Sequence, residues 1–198
     1  MNDAVEAIRA GKPVILPTDT VYGLVSSAYG AGATEKLYRV KGRTAEQPTA
    51  LLAADLELLF ECVPELRGRA GVIARALFPG PYTLVLPNPA RRYRWITGAN
   101  PHLIGVRVPE LPEPAERILS QVGSVVATSA NLPGGPEPRR IEDIPAQILE
   151  HVAAIVDAGE LPGVSSTVID FSGAEPRVLR EGAASAAEAI ERVTAALA

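Results

Sequence analysis

Cysteine is nearly absent from the 198-residue chain: Cys62 is the only one, so no intrachain disulfide can form. Cys62 sits in an apolar helical stretch, where a thiol packs more readily than it reacts. Histidine is almost as scarce, with only His102 and His151. Two imidazoles leave little scope for a zinc site or a Ser-His-Asp triad, so no metal-ligating set is expected. Lysine is confined to Lys12, Lys36 and Lys41. The cationic chemistry is therefore mostly that of arginine, whose planar fork suits phosphate and carboxylate. No apolar run reaches membrane-spanning length, so no span is expected. The opening Met1–Glu6 is acidic and lacks the basic start of a signal peptide, which points to a cytoplasmic setting. A net charge of −4 excludes the whole surface as a nucleic-acid trap and leaves room only for a local basic groove.

Several motifs are missing as well. There is no Walker loop, no Gly-x-Ser-x-Gly elbow, no His-Glu-x-x-His and no Rossmann glycine run. An enzyme with this inventory would work by positioning and charge stabilisation, with little acid–base chemistry of its own.

What remains is a composition of 47% hydrophobic and 21% charged residues, enough for one sizeable core. Periodicity and punctuation predict strands over 13–17, 23–29, 48–53, 82–86, 104–108, 125–128, 152–157, 164–170 and 177–180. Helices are predicted over 3–10, 32–41, 55–61, 65–78, 112–121, 145–150 and 184–197. Strands and helices interleave, yet some strands follow one another through short loops. That pattern predicts an α+β fold with α/β-type layers, a mixed sheet and packed helices, as a single domain over 1–198. The Pro- and Gly-rich loop 132–140 is the one segment expected to act as a lid.

Polar groups gather where apolar strands end. Pro13–Leu16 runs into Pro17-Thr18-Asp19-Thr20-Val21-Tyr22-Gly23-Leu24, which reads either as a polar turn or as the wall of a cleft. Lys41 and Arg43 close a helix, where the dipole alone would favour them. Arg107 lies in a Val-Arg-Val strand and could face solvent by alternation. Ser129 and Asn131 follow the Val125 strand, Ser166 opens a later one, and Arg180 ends the last. If these ends converge, they form a pocket for an anionic ligand, most simply a nucleoside triphosphate. Arg91-Arg92-Tyr93-Arg94-Trp95 reads as a solvated loop or as a nucleic-acid patch with interleaved aromatics.

The order of these segments resembles the YrdC/TsaC family, the threonylcarbamoyl-AMP synthases. The resemblance runs from Pro17–Leu24 through Lys41-Gly42-Arg43, Phe78-Pro79-Gly80-Pro81-Tyr82-Thr83 and Gly105-Val106-Arg107-Val108-Pro109. It continues through Thr128-Ser129-Ala130-Asn131, Ser166-Thr167-Val168-Ile169-Asp170 and Arg180-x-Gly182. It implies a YrdC/RibB-like twisted mixed sheet around a deep basic cavity, in the short form without a C-terminal extension. It also implies condensation of L-threonine, bicarbonate or CO2 and ATP into threonylcarbamoyl-adenylate plus pyrophosphate, with Mg2+ on the phosphates. The product would pass to tRNA threonylcarbamoyl-transfer proteins that modify adenosine 37.

By the same resemblance, Lys41 and Arg43 would carry catalysis. ATP would be held by Lys41, Arg43, Ser129, Asn131 and Arg180, and threonine by Thr20, Tyr22, Arg107 and Ser166. Thr18 and Asp19 would only shape the turn. Thr44, Thr49 and Glu181 stand where the family usually carries proline, leucine and proline. These departures keep two alternatives open: a paralogue acting on another small molecule, and a module binding tRNA or double-stranded RNA.

Overall fold

The computed structural model describes residues 2–198. Its strands are β1 (Val14–Pro17), β2 (Tyr22–Ser27), β3 (Ala50–Ala53), β4 (Tyr82–Pro87), β5 (Leu103–Arg107), β6 (Ser124–Ser129), β7 (Ala154–Ile155), β8 (Thr167–Asp170) and β9 (Arg177–Arg180). The helices are α1 (Asn2–Arg9), α2 (Ala31–Lys41), α3 (Leu56–Cys62), α4 (Arg69–Leu77), α5 (Glu113–Val122), α6 (Ala146–Leu149) and α7 (Ala186–Leu197). Among the described residues the strands form one sheet in the order β7-β1-β2-β6-β3-β5-β4-β8-β9. Parallel pairs (β1–β7, β3–β5, β4–β8) mix with antiparallel ones, so the predicted mixed sheet is what the chain forms.

Element boundaries differ where tertiary bonds override local pattern. Strand β8 begins at Thr167, not at residue 164. The residues before it bond to the end of β9 and the chain after it: Arg180 Nε donates to Ser166 O and Ala183 N–H to Ser165 O. Strand β7 shrinks to two residues, paired with β1 at the sheet edge. Helix α4 starts at Arg69, after Gly68 takes a positive φ of 54°.

Side-chain alternation divides the core in two. Val126, Leu51, Val106, Leu84 and Ile169 face one side, against which α2, α3, α4 and α7 pack. Val14, Leu16, Val25, Leu52 and Val125 face the other, joined by Ala4, Val5 and Ile8 of α1 and Ile118 and Leu119 of α5. On this second face α1 and α5 lie chiefly against β1, β2, β6 and β7, with Leu52 of β3 at the margin of their core. The half formed by β5, β4, β8 and β9 lies beyond that core.

The sheet also curls. Two strands, β6 and β3, lie between β2 and β5, so a flat sheet would hold β2 and β5 roughly 14 Å apart, three spacings of about 4.8 Å. Yet the turn between β1 and β2 touches the end of β5: Asp19 pairs with Arg107, and Arg107 Nη2 donates to Thr20 Oγ1 at 2.9 Å. The uncovered half-face is therefore concave, with the 18–21 turn folded over it.

One close approach locks the far rim. A Cβ on Gly182 would lie 2.6 Å from the Ser166 carbonyl carbon and 2.7 Å from its oxygen. Only glycine lets the chain after β9 lie directly on Ser165 and Ser166. The substitution Gly182→Ala should lower unfolding free energy by about 1–3 kcal/mol, because backbone must move to admit the methyl. Urea unfolding of the two proteins measures it; an unchanged midpoint would contradict the packing.

Candidate functional site

The concave half-face encloses a cavity of about 490 Å³. Its floor is the inward row of the strands: Ala127 of β6, Ala50 and Leu52 of β3, Gly105 and Arg107 of β5, Thr83 and Val85 of β4, Val168 and Asp170 of β8. Register places Ala127, Ala50 and Gly105 side by side across three strands. Three residues of one carbon or none leave the space that larger side chains would fill.

Of the residues singled out in the sequence, Thr20, Arg43, Arg107, Ser129, Ser166 and Arg180 line this one cavity. Arg107 is 9% exposed and meets Asp19 and Thr20 through Nη2. Burial pushes its guanidinium down, and the Asp19 carboxylate pulls it back up. Its Nε has no acceptor among the described residues, although it is buried. A buried donor left unpaired costs about 1–3 kcal/mol. Nη1, which makes no hydrogen bond among the described residues and is not sealed off as Nε is, is the donor left for an acceptor in the cavity. Ser166 Oγ lies 2.8 Å from Thr83 Oγ1 and 3.2 Å from Arg180 Nη2.

Lys41 and Asn131 stand behind the wall and do not line the cavity. The Lys41 ammonium is 2% exposed and donates to Ser129 O at 2.5 Å and Asn131 Oδ1 at 2.6 Å. Ser129 Oγ also donates to Asn131 Oδ1, at 2.6 Å. Burial first and Arg43 second push the Lys41 amine down to about 8, against the pull of Glu137.

Tyr22 is a correction. It was expected in the wall of the threonine subsite, but it is fully buried in the core. Its hydroxyl donates toward Gly159 O at 2.7 Å and Asp157 Oδ1 at 2.8 Å, and accepts from Ala158 N–H. Burial, with Asp157 adding to it, raises the phenol to about 12. The even-numbered residues of β2 point into the helix-covered face, and Tyr22 follows them.

Asp19 is a correction of the opposite kind, since it binds Arg107 and accepts the Glu110 N–H at 3.2 Å as well as shaping a turn. Thr18 likewise reaches the cavity wall, its hydroxyl 2.9 Å from that of Thr20. Sequence reading also passed over Thr83, Asp170, Arg177 and Glu46. Period-two alternation from Arg107 and Ser166 through the register would have found the first three.

The loop 132–140 is tied down along its length. Asn131 Nδ2 donates to Gly135 O, Tyr22 N–H to Pro138 O and Leu161 N–H to Arg139 O. The arginine-aromatic segment is no stacking platform either. Trp95 Nε1 donates to Ala28 O at 3.1 Å, Tyr93 packs edge-on against Trp95, and Arg92 forks onto Glu65 at 2.7 and 2.9 Å. Stacking on bases needs free aromatic faces, and here both rings are half-buried against the core and against each other.

Among the described residues no group of three or more His, Cys, Asp or Glu is placed to hold a metal ion. No helix among the described residues is long and apolar enough to cross a membrane.

The Sua5/YciO/YrdC family, described under "Telomere recombination", matches residues 6–182. The chain belongs to this family. It is 35% identical over 170 residues to a threonylcarbamoyl-AMP synthase of Stenotrophomonas maltophilia, covering 83% of this chain and 89% of that protein. The threonylcarbamoyl-AMP synthase of Pyrococcus abyssi is 36% identical over 176 residues, 88% of this chain but 52% of the relative. The crystal structure of P. abyssi Sua5 complexed with L-threonine superposes with a TM-score of 0.86 at 36% identity, over 96% of this chain and 56% of that one. The chain therefore spans about half the length of the P. abyssi protein. The twisted mixed sheet expected of a YrdC-like chain is the fold found.

If Tyr22 is a core anchor, Tyr22→Phe should cost about 1–3 kcal/mol of stability through lost buried hydrogen bonds. It should leave the KM for any amino acid bound in the cavity within about twofold, a difference of less than 0.5 kcal/mol. A large rise in that KM at unchanged stability would restore Tyr22 to the subsite.

Proposed function

We propose that the chain is a threonylcarbamoyl-AMP synthase, using L-threonine, bicarbonate or CO2 and ATP and releasing pyrophosphate. One observation carries the reading. Thr20, Arg107 and Ser166 share a single cavity with Arg43, Ser129 and Arg180, in a chain of this family. The volume of about 490 Å³ falls in the range of small-ligand sites. The P. abyssi relative complexed with L-threonine supports an amino-acid end to the cavity.

At that end Arg107 offers its free donor to the threonine carboxylate, with the Thr20 and Ser166 hydroxyls beside it. At the other, Arg43 and Arg180 take the phosphates, and Ser129 contacts the nucleotide. Asn131 holds Lys41 one side chain behind Ser129. Exchange of the Asn131 bond for a phosphate oxygen brings the ammonium into the same cluster. Magnesium would accompany the triphosphate as its counter-ion, held mainly by phosphate oxygens.

The chemistry needs two bond-forming steps. The threonine nitrogen attacks CO2, loses a proton and becomes a carbamate. A carbamate oxygen then attacks the α-phosphorus, forming a P–O bond as the bond to pyrophosphate breaks. Charge gathers on the phosphoryl oxygens in that second step, and fixed guanidiniums stabilise it without moving. Neither step calls on a histidine. The product is a reactive carbamoyl adenylate, suited to transfer onto the adenosine-37 nitrogen of tRNA by partner proteins in the cytoplasm.

The test is pyrophosphate release from ATP, which should require both threonine and bicarbonate; release that ignores threonine would overturn the reading. Lys41→Ala should slow turnover by about 10²–10³, roughly 2.7–4 kcal/mol. Burial and Arg43 push the Lys41 amine down to about 8 in the free protein, so kcat/KM for ATP should fall as pH rises through about 8. Lys41→Arg keeps its charge throughout, so that limb should vanish in this variant.

A further inference from the structure

One cavity must hold a zwitterionic amino acid and a polyanionic nucleotide, each at its own end. Four guanidiniums line it, and a nucleotide triphosphate or free phosphate would be drawn to any of them. Their partners differ. Arg43 donates to Pro48 O, and Arg180 to Ser166 O and Oγ, so both meet only neutral oxygens. Arg107 and Arg177 are paired, with Asp19 and Asp170 respectively. Arg177 is 73% exposed, so solvent screens its pair. The Asp19–Arg107 pair is about 10% exposed on both sides and is the one buried ion pair at the cavity.

Asp19 is fixed as firmly as its partner. One carboxylate oxygen meets Arg107 Nη2 and the other accepts the Glu110 backbone N–H. The turn that carries it is locked by Thr18, whose hydroxyl donates to Val21 O at 2.7 Å and accepts from the Thr20 and Val21 N–H groups. Both bonds of Nη2 face this turn, and Nη1 is left without a partner among the described residues.

We infer that Asp19 is a positioning and specificity-determining residue. It fixes Arg107 and cancels its charge, so that this end binds a carboxylate through an unpaired donor and rejects phosphate, which goes to Arg43 and Arg180. The inference rests on the reading of the Thr20–Arg107 end as the amino-acid subsite, and goes beyond it by assigning anion selection to Asp19. A neutralised guanidinium still donates hydrogen bonds but offers little net attraction to a multiply charged anion. Asp19 makes no contact with the substrate in this scheme and acts through Arg107.

Inorganic phosphate is the probe. In the unaltered protein, phosphate should inhibit pyrophosphate release competitively with ATP and non-competitively with threonine. In Asp19→Asn, phosphate should become competitive with threonine, and the KM for threonine should rise about tenfold, with that for ATP changing by about twofold or less, as expected when one charge-assisted bond is lost at one end. Asp19→Glu should restore most of the selectivity. If Asp19→Asn does not fold, the inhibition pattern of the unaltered protein still decides. Phosphate competing with threonine there overturns the inference, as does an Asp19→Asn enzyme with unchanged phosphate kinetics. Pyrophosphate release that never depended on threonine would instead overturn the functional reading, and the inference with it.

Discussion

The contact between Asp19 and Arg107 ties the turn after the first strand to the end of the fifth. Nothing in local sequence calls for it, because the two residues are far apart in the chain and their strands are not neighbours in the sheet. The pair exists only if the sheet curls, and once formed it holds the curl. A buried pair of this kind is weak evidence for stability, since desolvation offsets most of the attraction. Its consequence is geometric. It sets the depth of the concavity and fixes the direction of the guanidinium that faces into it.

The concavity becomes a cavity because helices cover the sheet unevenly. One face is packed along its length by α2, α3, α4 and α7. On the other, α1 and α5 end over β1, β2 and β6. Such a half-bare sheet is normally closed by further apolar packing. Here the exposed half carries threonines, serines and arginines at strand ends and alanine and glycine in the middle. The site is thus a region where the rules of core building are suspended, beside one where they are followed closely.

Much of this was legible in the sequence. Every predicted strand and helix is present, because apolar runs bounded by Pro and Gly carry a strong signal at these lengths. Thr20, Arg107, Ser129, Ser166 and Arg180 stood out by their places at strand ends and Arg43 by its place after a helix, although only the sheet shows that these ends converge. What could not be read was direction. Tyr22 and Thr20 lie two residues apart in one motif, yet one enters the core and the other the cavity, since the strand begins between them. Lys41 was visible as a cation but not as a buried one, because its burial depends on Asn131 and Ser129 some ninety residues away. The arginine-aromatic run could be read as a solvated loop or an RNA patch, because local sequence does not show that Trp95 and Tyr93 pack half-buried against the core.

The last strand shows a second use for side chains that line the cavity. Strand β9 is a free edge, and Val178 and Leu179 are 46% and 53% exposed on it. An open apolar edge of this kind is a template for another chain to add a strand. Here it is only four residues long, and an arginine stands at each end. Two copies meeting edge to edge would bring four guanidiniums together. The residues that equip the rim of the cavity therefore also act as gatekeepers against self-association, so a change that neutralised both would raise the tendency of the chain to aggregate as well as alter what it binds.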